Sequence, residues 1–148
     1  MAHGHSEGRA LLLIAAVLWF IWGAVHMLAG VVIITSDASG AVAAVADAVD
    51  PAAVQMNYHA AAGALINQHG FNLLWIGFVT LVCAIAIARR SASAIGLAAL
   101  VGGLADIGYF VFLDLGGFVN FVPGTLMTLF SSAAIATSGY VYFKHLKS

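Results

Sequence analysis

Four long apolar runs, separated by short polar stretches, set the pattern of this chain. The first, Leu11 to Ile34, is about 24 residues without a formal charge, enough at about 1.5 Å per residue to cross about 30 Å of hydrocarbon. The second is centred on Gly70 to Ala88, about 19 residues, and extends upstream past His69 to Gln68. A third runs from Ala94 to Leu115 and is interrupted by Asp106 and Asp114. The fourth runs from Phe121 to Phe143, with Pro123 placed in its first turn, where a missing backbone N–H costs nothing. This pattern predicts an all-α fold: one domain over 1–148, an integral membrane four-helix bundle with spans at about 11–34, 68–88, 94–115 and 121–143. The first run is too long for the apolar core of a cleaved leader and is expected to stay as an anchor.

Between Thr35 and Gln68 lies the one sizeable connection. It opens with the turn-forming Ser36-Asp37-Ala38-Ser39-Gly40 and becomes alanine-rich. Asp50 followed by Pro51 has the form of an N-cap and a first helical residue, which predicts an amphipathic helix from there to Ile66. Its apolar positions Val54, Tyr58, Ala61, Ala62 and Leu65 recur at helical spacing. The segment Asn67-Gln68-His69-Gly70 reads as a hinge into the second span.

Composition fixes the solvent. Of 148 residues 63% are hydrophobic and 7% charged, whereas a soluble domain carries roughly 25% charge, so the exterior must face the lipid bilayer. A net charge of −1 gives no field for nucleic acid. The basic residues Arg9, Arg89, Arg90, Lys144 and Lys147 fall only before the first run, between the second and third, and after the fourth. Four crossings put all of them on one face, which the positive-inside rule makes cytoplasmic, with both termini; short loops and alanine richness suit a bacterial plasma membrane. A single cysteine, Cys83, rules out an internal disulfide and any Cys-cluster metal site. His3 and His5 sit on a short N-terminal tail and read as solvated.

Candidate chemistry lies where polar groups enter the membrane, since an Asp at a helix centre costs about 2.5–3.5 kcal/mol. His26 lies about 15 residues into the first span and Asp106 about 12 into the third, both in the outer half. Asn72, His69, Tyr109 and Asp114 fall at similar depth, with His59 nearby in the loop. Gly102 and Gly103 let a neighbouring helix approach Asp106, and Trp19, Trp22, Gly23 and Gly30 share the face of His26. On the fourth span, Gly124, Thr128, Ser132 and Ala136 form a small-residue ridge suited to helix packing.

One reading makes His26 and Asp106 an interhelical hydrogen bond that fixes register, in an accessory or structural subunit packed against a larger membrane protein or a second copy. Another makes them the acid, base or cation-stabilising groups of a site for an apolar molecule such as a sterol, isoprenoid or quinone. The candidate ligand-binding residues are then His26, Asn72, Asp106, Tyr109 and Trp22, within an aromatic wall of Trp19, Trp22, Trp75, Tyr109, Phe110 and Phe112. In layout, though in no motif, such a bundle resembles the small four-helix membrane isomerases, the sigma-receptor-like ligand binders and the DoxX-type bundles. A third reading has His26 and His69 ligate haem or a transition metal in a redox subunit. A fourth is a proton or solute pathway through His26, Asp106, Thr128, Ser131 and Ser132, against which stands the apolar inner half. No motif specifies a cofactor.

Overall fold

The computed structural model describes the backbone of residues 2–146 and the side chains of 7–146, so Lys147 lies outside the described residues, as do the side chains of His3 and His5. Helix α1 spans Ala2–Thr35, α2 Ala38–Val45, α3 Pro51–Val54, α4 Ala60–Ala88, α5 Ala92–Tyr109 and α6 Leu126–Val141. A wider π turn prolongs α5 over Phe110–Asp114, another leads into α6 over Phe121–Thr125, and a third closes the chain at Tyr142–Leu146. Among the described residues there is no strand. Four segments are long and apolar enough to cross a membrane: Glu7–Thr35, Ala60–Ala88, Ala92–Asp114 and Phe121–Leu146. The molecule is an all-α integral membrane protein.

α1 packs chiefly on α4 and next on α6, while α5 packs on both α4 and α6, so the helices form a ring in which α1 and α5 are diagonal. Lipid tails are as apolar as leucine, so helices in a bilayer associate through close packing and hydrogen bonds rather than through burial from water. The seam between α1 and α4 is built for that. A Cβ on Gly23 would lie 2.8 Å from the Gly77 carbonyl oxygen, and one on Gly77 2.6 Å from that of Gly23. Gly30 and Gly70 repeat the relation at 2.6 and 3.1 Å. The same antiparallel register sets buried Ala16 opposite buried Ala84. Small residues spaced seven apart keep to one side of each helix, and the two backbones touch along that side.

Gly70 is therefore a packing residue and not a hinge. α4 continues unbroken through Asn67-Gln68-His69-Gly70, because a glycine costs a helix about 1 kcal/mol without breaking it when tertiary packing holds both sides. The loop helix expected from Asp50 to Ile66 divides in two. Its start is as the sequence indicates, with Pro51 first and the Asp50 carboxylate accepting from the Ala52 N–H at 3.0 Å, but α3 ends at Val54. The Ser39 hydroxyl then donates to the Met56 carbonyl at 3.2 Å and draws the chain toward α2. A fresh helix begins beyond, where the His59 Nδ1 accepts from the Ala61 N–H at 3.2 Å as the N-cap of α4. The amphipathic face dissolves with the break: Val54 is buried, but Leu65 is 68% exposed. α2 is an addition to the expected elements, capped by Asp37, whose carboxylate accepts from the Gly40 N–H at 2.7 Å. At the N-terminus, helix α1 begins at Ala2, where a tail was expected.

On α6 the buried face is Met127, Ser131, Ala134, Ser138 and Val141, whereas Ser132 and Ala136 of the expected ridge are exposed. The packing surface lies one residue away from that ridge. The described basic residues Arg9, Arg89, Arg90 and Lys144 lie toward one end of the bundle, and the loops bearing Asp37, Asp47 and Asp50 lie at the other. At that loop end the Asn120 N–H donates to the Asp47 carboxylate at 2.7 Å, the Asn120 side-chain amide donates to the Asp47 carbonyl at 2.8 Å, and the Ala48 N–H donates to the Phe118 carbonyl at 3.1 Å.

Gly23→Ala and Gly77→Ala each force the α1–α4 seam apart and are expected to cost about 1–3 kcal/mol in unfolding measurements in detergent. Gly108→Ala, which meets nothing within 4 Å, is the matched control and leaves stability unchanged or raises it by up to about 1 kcal/mol.

Candidate functional site

With α1 pressed onto α4, its next face points across the ring toward α5. Trp19 and Trp22, both wholly buried, fill that interior edge to face, with ring centroids 5.6 Å apart and planes at 81°. Gly102 on α5 makes room for the Trp19 ring, since any Cβ there would collide with it. One turn on, the Trp22 indole N–H donates to the Asp106 carboxylate at 2.9 Å, and Asp106 is only 4% exposed. The direct interhelical bond between His26 and Asp106, one of the readings of the sequence, is not made, and Asp106 accepts from the Trp22 indole. His26 instead lies flat on the Trp22 indole, at a centroid distance of 3.6 Å and an angle of 20°.

The orientation of His26 fixes its chemistry. Its Nδ1 is 2.8 Å from the Trp22 carbonyl oxygen, which can only accept, so Nδ1 carries a proton and donates. In the neutral ring Nε2 then holds the lone pair and serves as an acceptor.

A cavity of about 90 Å³ opens beside this stack. His26 from α1, His69 from α4, and Asp106 and Tyr109 from α5 line it, among apolar walls that include Val25, Ile33 and Met127. Ala44 and Val45 of α2 and the Pro123-Gly124 start of the fourth span close its loop end. Tyr109 stands over Gly124, where a Cβ would lie 2.5 Å from the phenol oxygen. His69 is exposed as well as lining the cavity, and so marks its rim.

Of the candidate residues, His26, His69, Asp106 and Tyr109 share this cavity, and Trp22 forms the support behind it. Asn72 is elsewhere: its side-chain oxygen accepts from the Trp75 indole at 3.1 Å, a local pair one turn apart. The aromatic wall is largely absent, since Trp75 (42% exposed), Phe110 (42%) and Phe112 (74%) face outward. Asp114 accepts from the Thr125 hydroxyl at 2.6 Å, and its second oxygen is buried with no partner among the described residues. Cys83 is buried and does not line the cavity. The roof formed by α2 and Pro123-Gly124 is the part that the sequence reading missed, although the Pro-Gly pair after Asn120 marked a special backbone there.

Among the described residues no three His, Cys, Asp or Glu side chains converge as a metal-binding set. No described Lys or Arg lines the cavity, and the polar side chains among its described lining are two imidazoles, a carboxyl group and a phenol. Compared with known protein families, with curated proteins and with solved structures, the chain shows no significant match to any of them.

Trp22→Phe removes the indole donor and leaves the Asp106 oxygen without it, and is expected to lower the unfolding free energy by about 1–3 kcal/mol. Asp106→Asn keeps an acceptor for the indole and is expected to cost less than Trp22→Phe in the same detergent unfolding assay.

Proposed function

We propose that this protein binds a small, largely apolar molecule with a polar head in the cavity bounded by α1, α2, α4, α5 and the start of the fourth span. The observation that carries this reading is the convergence of His26, His69, Asp106 and Tyr109, from three helices, on one cavity in an otherwise apolar bundle. Polar side chains are costly in hydrocarbon, and a shared cavity gives them an occupant to bind. The volume limits what fits. About 90 Å³ lies well below the roughly 300–1,000 Å³ of pockets that enclose drug-sized ligands. It takes the head or ring of a sterol, isoprenoid or quinone-like molecule, with the remainder outside the rim, and it has no room for a porphyrin between His26 and His69. In this reading the protein lies in a bacterial plasma membrane with its basic end and both termini in the cytoplasm, and the cavity in the outer leaflet.

An accessory or structural role beside a larger membrane protein, or in a homo-oligomer, is the second reading. It is favoured by Gly96 and Gly108 on α5, where nothing within 4 Å meets an added Cβ and a neighbouring helix could approach closely.

Protein purified in mild detergent, examined by native mass spectrometry and visible absorption, separates the two. The binding reading expects a co-purifying small molecule on the wild type that His26→Ala and Asp106→Asn lose. A wild type that carries nothing, with both variants changed only in thermal stability, favours the structural role.

A further inference from the structure

The acceptors around the cavity outnumber the donors, and that bias specifies the head group of the occupant. Asp106 is buried with one oxygen on the Trp22 indole. The Ser131 hydroxyl hydrogen-bonds this carboxylate as well, and lies 3.0 Å from the Thr128 carbonyl oxygen. The described cationic side chains Arg9, Arg89, Arg90 and Lys144 are all toward the far end of the bundle, so none serves as counter-ion to Asp106. His26 has committed its Nδ1–H to the backbone and offers Nε2 as an acceptor. Tyr109 adds a phenol oxygen from the next turn of α5. Further along α5, Asp114 adds a second carboxyl group with an unpartnered buried oxygen, which deepens the negative potential at this end. The Trp22 and Ser131 donors are neutral, and among the described residues no Lys or Arg faces Asp106, whereas a buried carboxylate is best stabilised by a positive, hydrogen-bonding partner.

We propose that the cavity takes a primary alkylammonium group, whose three N–H donors meet the Asp106 carboxylate, the His26 Nε2 and the Tyr109 phenol oxygen. Its alkyl stem lies against Val25, Ile33 and Met127 and leaves past the His69 rim. Three donors face three acceptors, and the flanking Tyr109 ring suits a cation. A carboxylate or phosphate head meets Asp106 as a like charge, and a hydroxyl head satisfies at most part of the set. This assignment rests on the reading of the cavity as a ligand site.

The test uses the full chain in mild detergent, with thermal shift and calorimetric titration of n-hexylamine, n-hexanol and n-hexanoate at neutral pH. Hexylamine is expected to bind saturably and raise the Tm, hexanoate to do neither, and hexanol to bind about tenfold or more weakly. Asp106→Asn is expected to weaken hexylamine by roughly 10–100-fold while leaving hexanol little changed. Ala44→Phe, at an exposed position of α2 whose side chain reaches the cavity, is expected to abolish binding without lowering the Tm, which keeps the test valid if Asp106→Asn misfolds. Hexanol binding as tightly as hexylamine, or hexylamine binding unaffected by both variants, overturns the ammonium assignment. Failure of the whole series on the wild type does so too. The ligand site itself is judged separately, by whether the co-purifying molecule disappears in His26→Ala.

Discussion

Backbone contact between α1 and α4 is the constraint from which the rest of the bundle follows. In lipid nothing squeezes two helices together as water would, so they hold where their surfaces fit most closely. The Gly23–Gly77 and Gly30–Gly70 pairs bring backbone against backbone, with the Ile33, Met27 and Thr80 side chains packed against the same glycines. Once α1 lies against α4 in that register, its rotation is fixed, and its two indoles have only the centre of the ring to occupy. The diagonal helices α1 and α5 are then joined by side chains: Trp19 over Gly102, and Trp22 on Asp106.

Trp22 links packing to chemistry. One indole stands nearly perpendicular to Trp19, stacks its face on His26 and donates its N–H to Asp106, so it positions both an imidazole and a carboxyl group from different helices. Neither group needs to touch the other to be held at the same depth. In place of the direct histidine–aspartate bond that one reading of the sequence offered, a tryptophan spaces the two groups, leaving His26, Asp106 and Tyr109 to line a common void.

The spans were legible because length and apolarity alone decide whether a helix crosses a bilayer, and the depths of His26 and Asp106 followed by counting along those helices. Other features depend on partners that a linear reading does not contain. Gly70 has the same local sequence whether it bends the chain or admits a neighbouring backbone, and only its pairing with Gly30 separates the two roles. Asp50 and Pro51 mark where α3 starts, but its end depends on Ser39 holding Met56 from another helix. Trp22 and Trp75 look equally apt for an aromatic wall, yet one points into the ring and bonds Asp106 while the other points out and takes Asn72 with it. His59 and His69 differ similarly: the first caps a helix, the second edges a cavity.

The hydrogen bonds joining Asp47 and Ala48 to Asn120 and Phe118 also couple two parts of the cavity that are far apart in the chain. They tie the segment after α2 to the segment before α6, and those two segments carry the roof residues Ala44, Val45, Pro123 and Gly124. The two halves of the roof, remote in sequence, are thus held as one piece, and displacing either half pulls on the other.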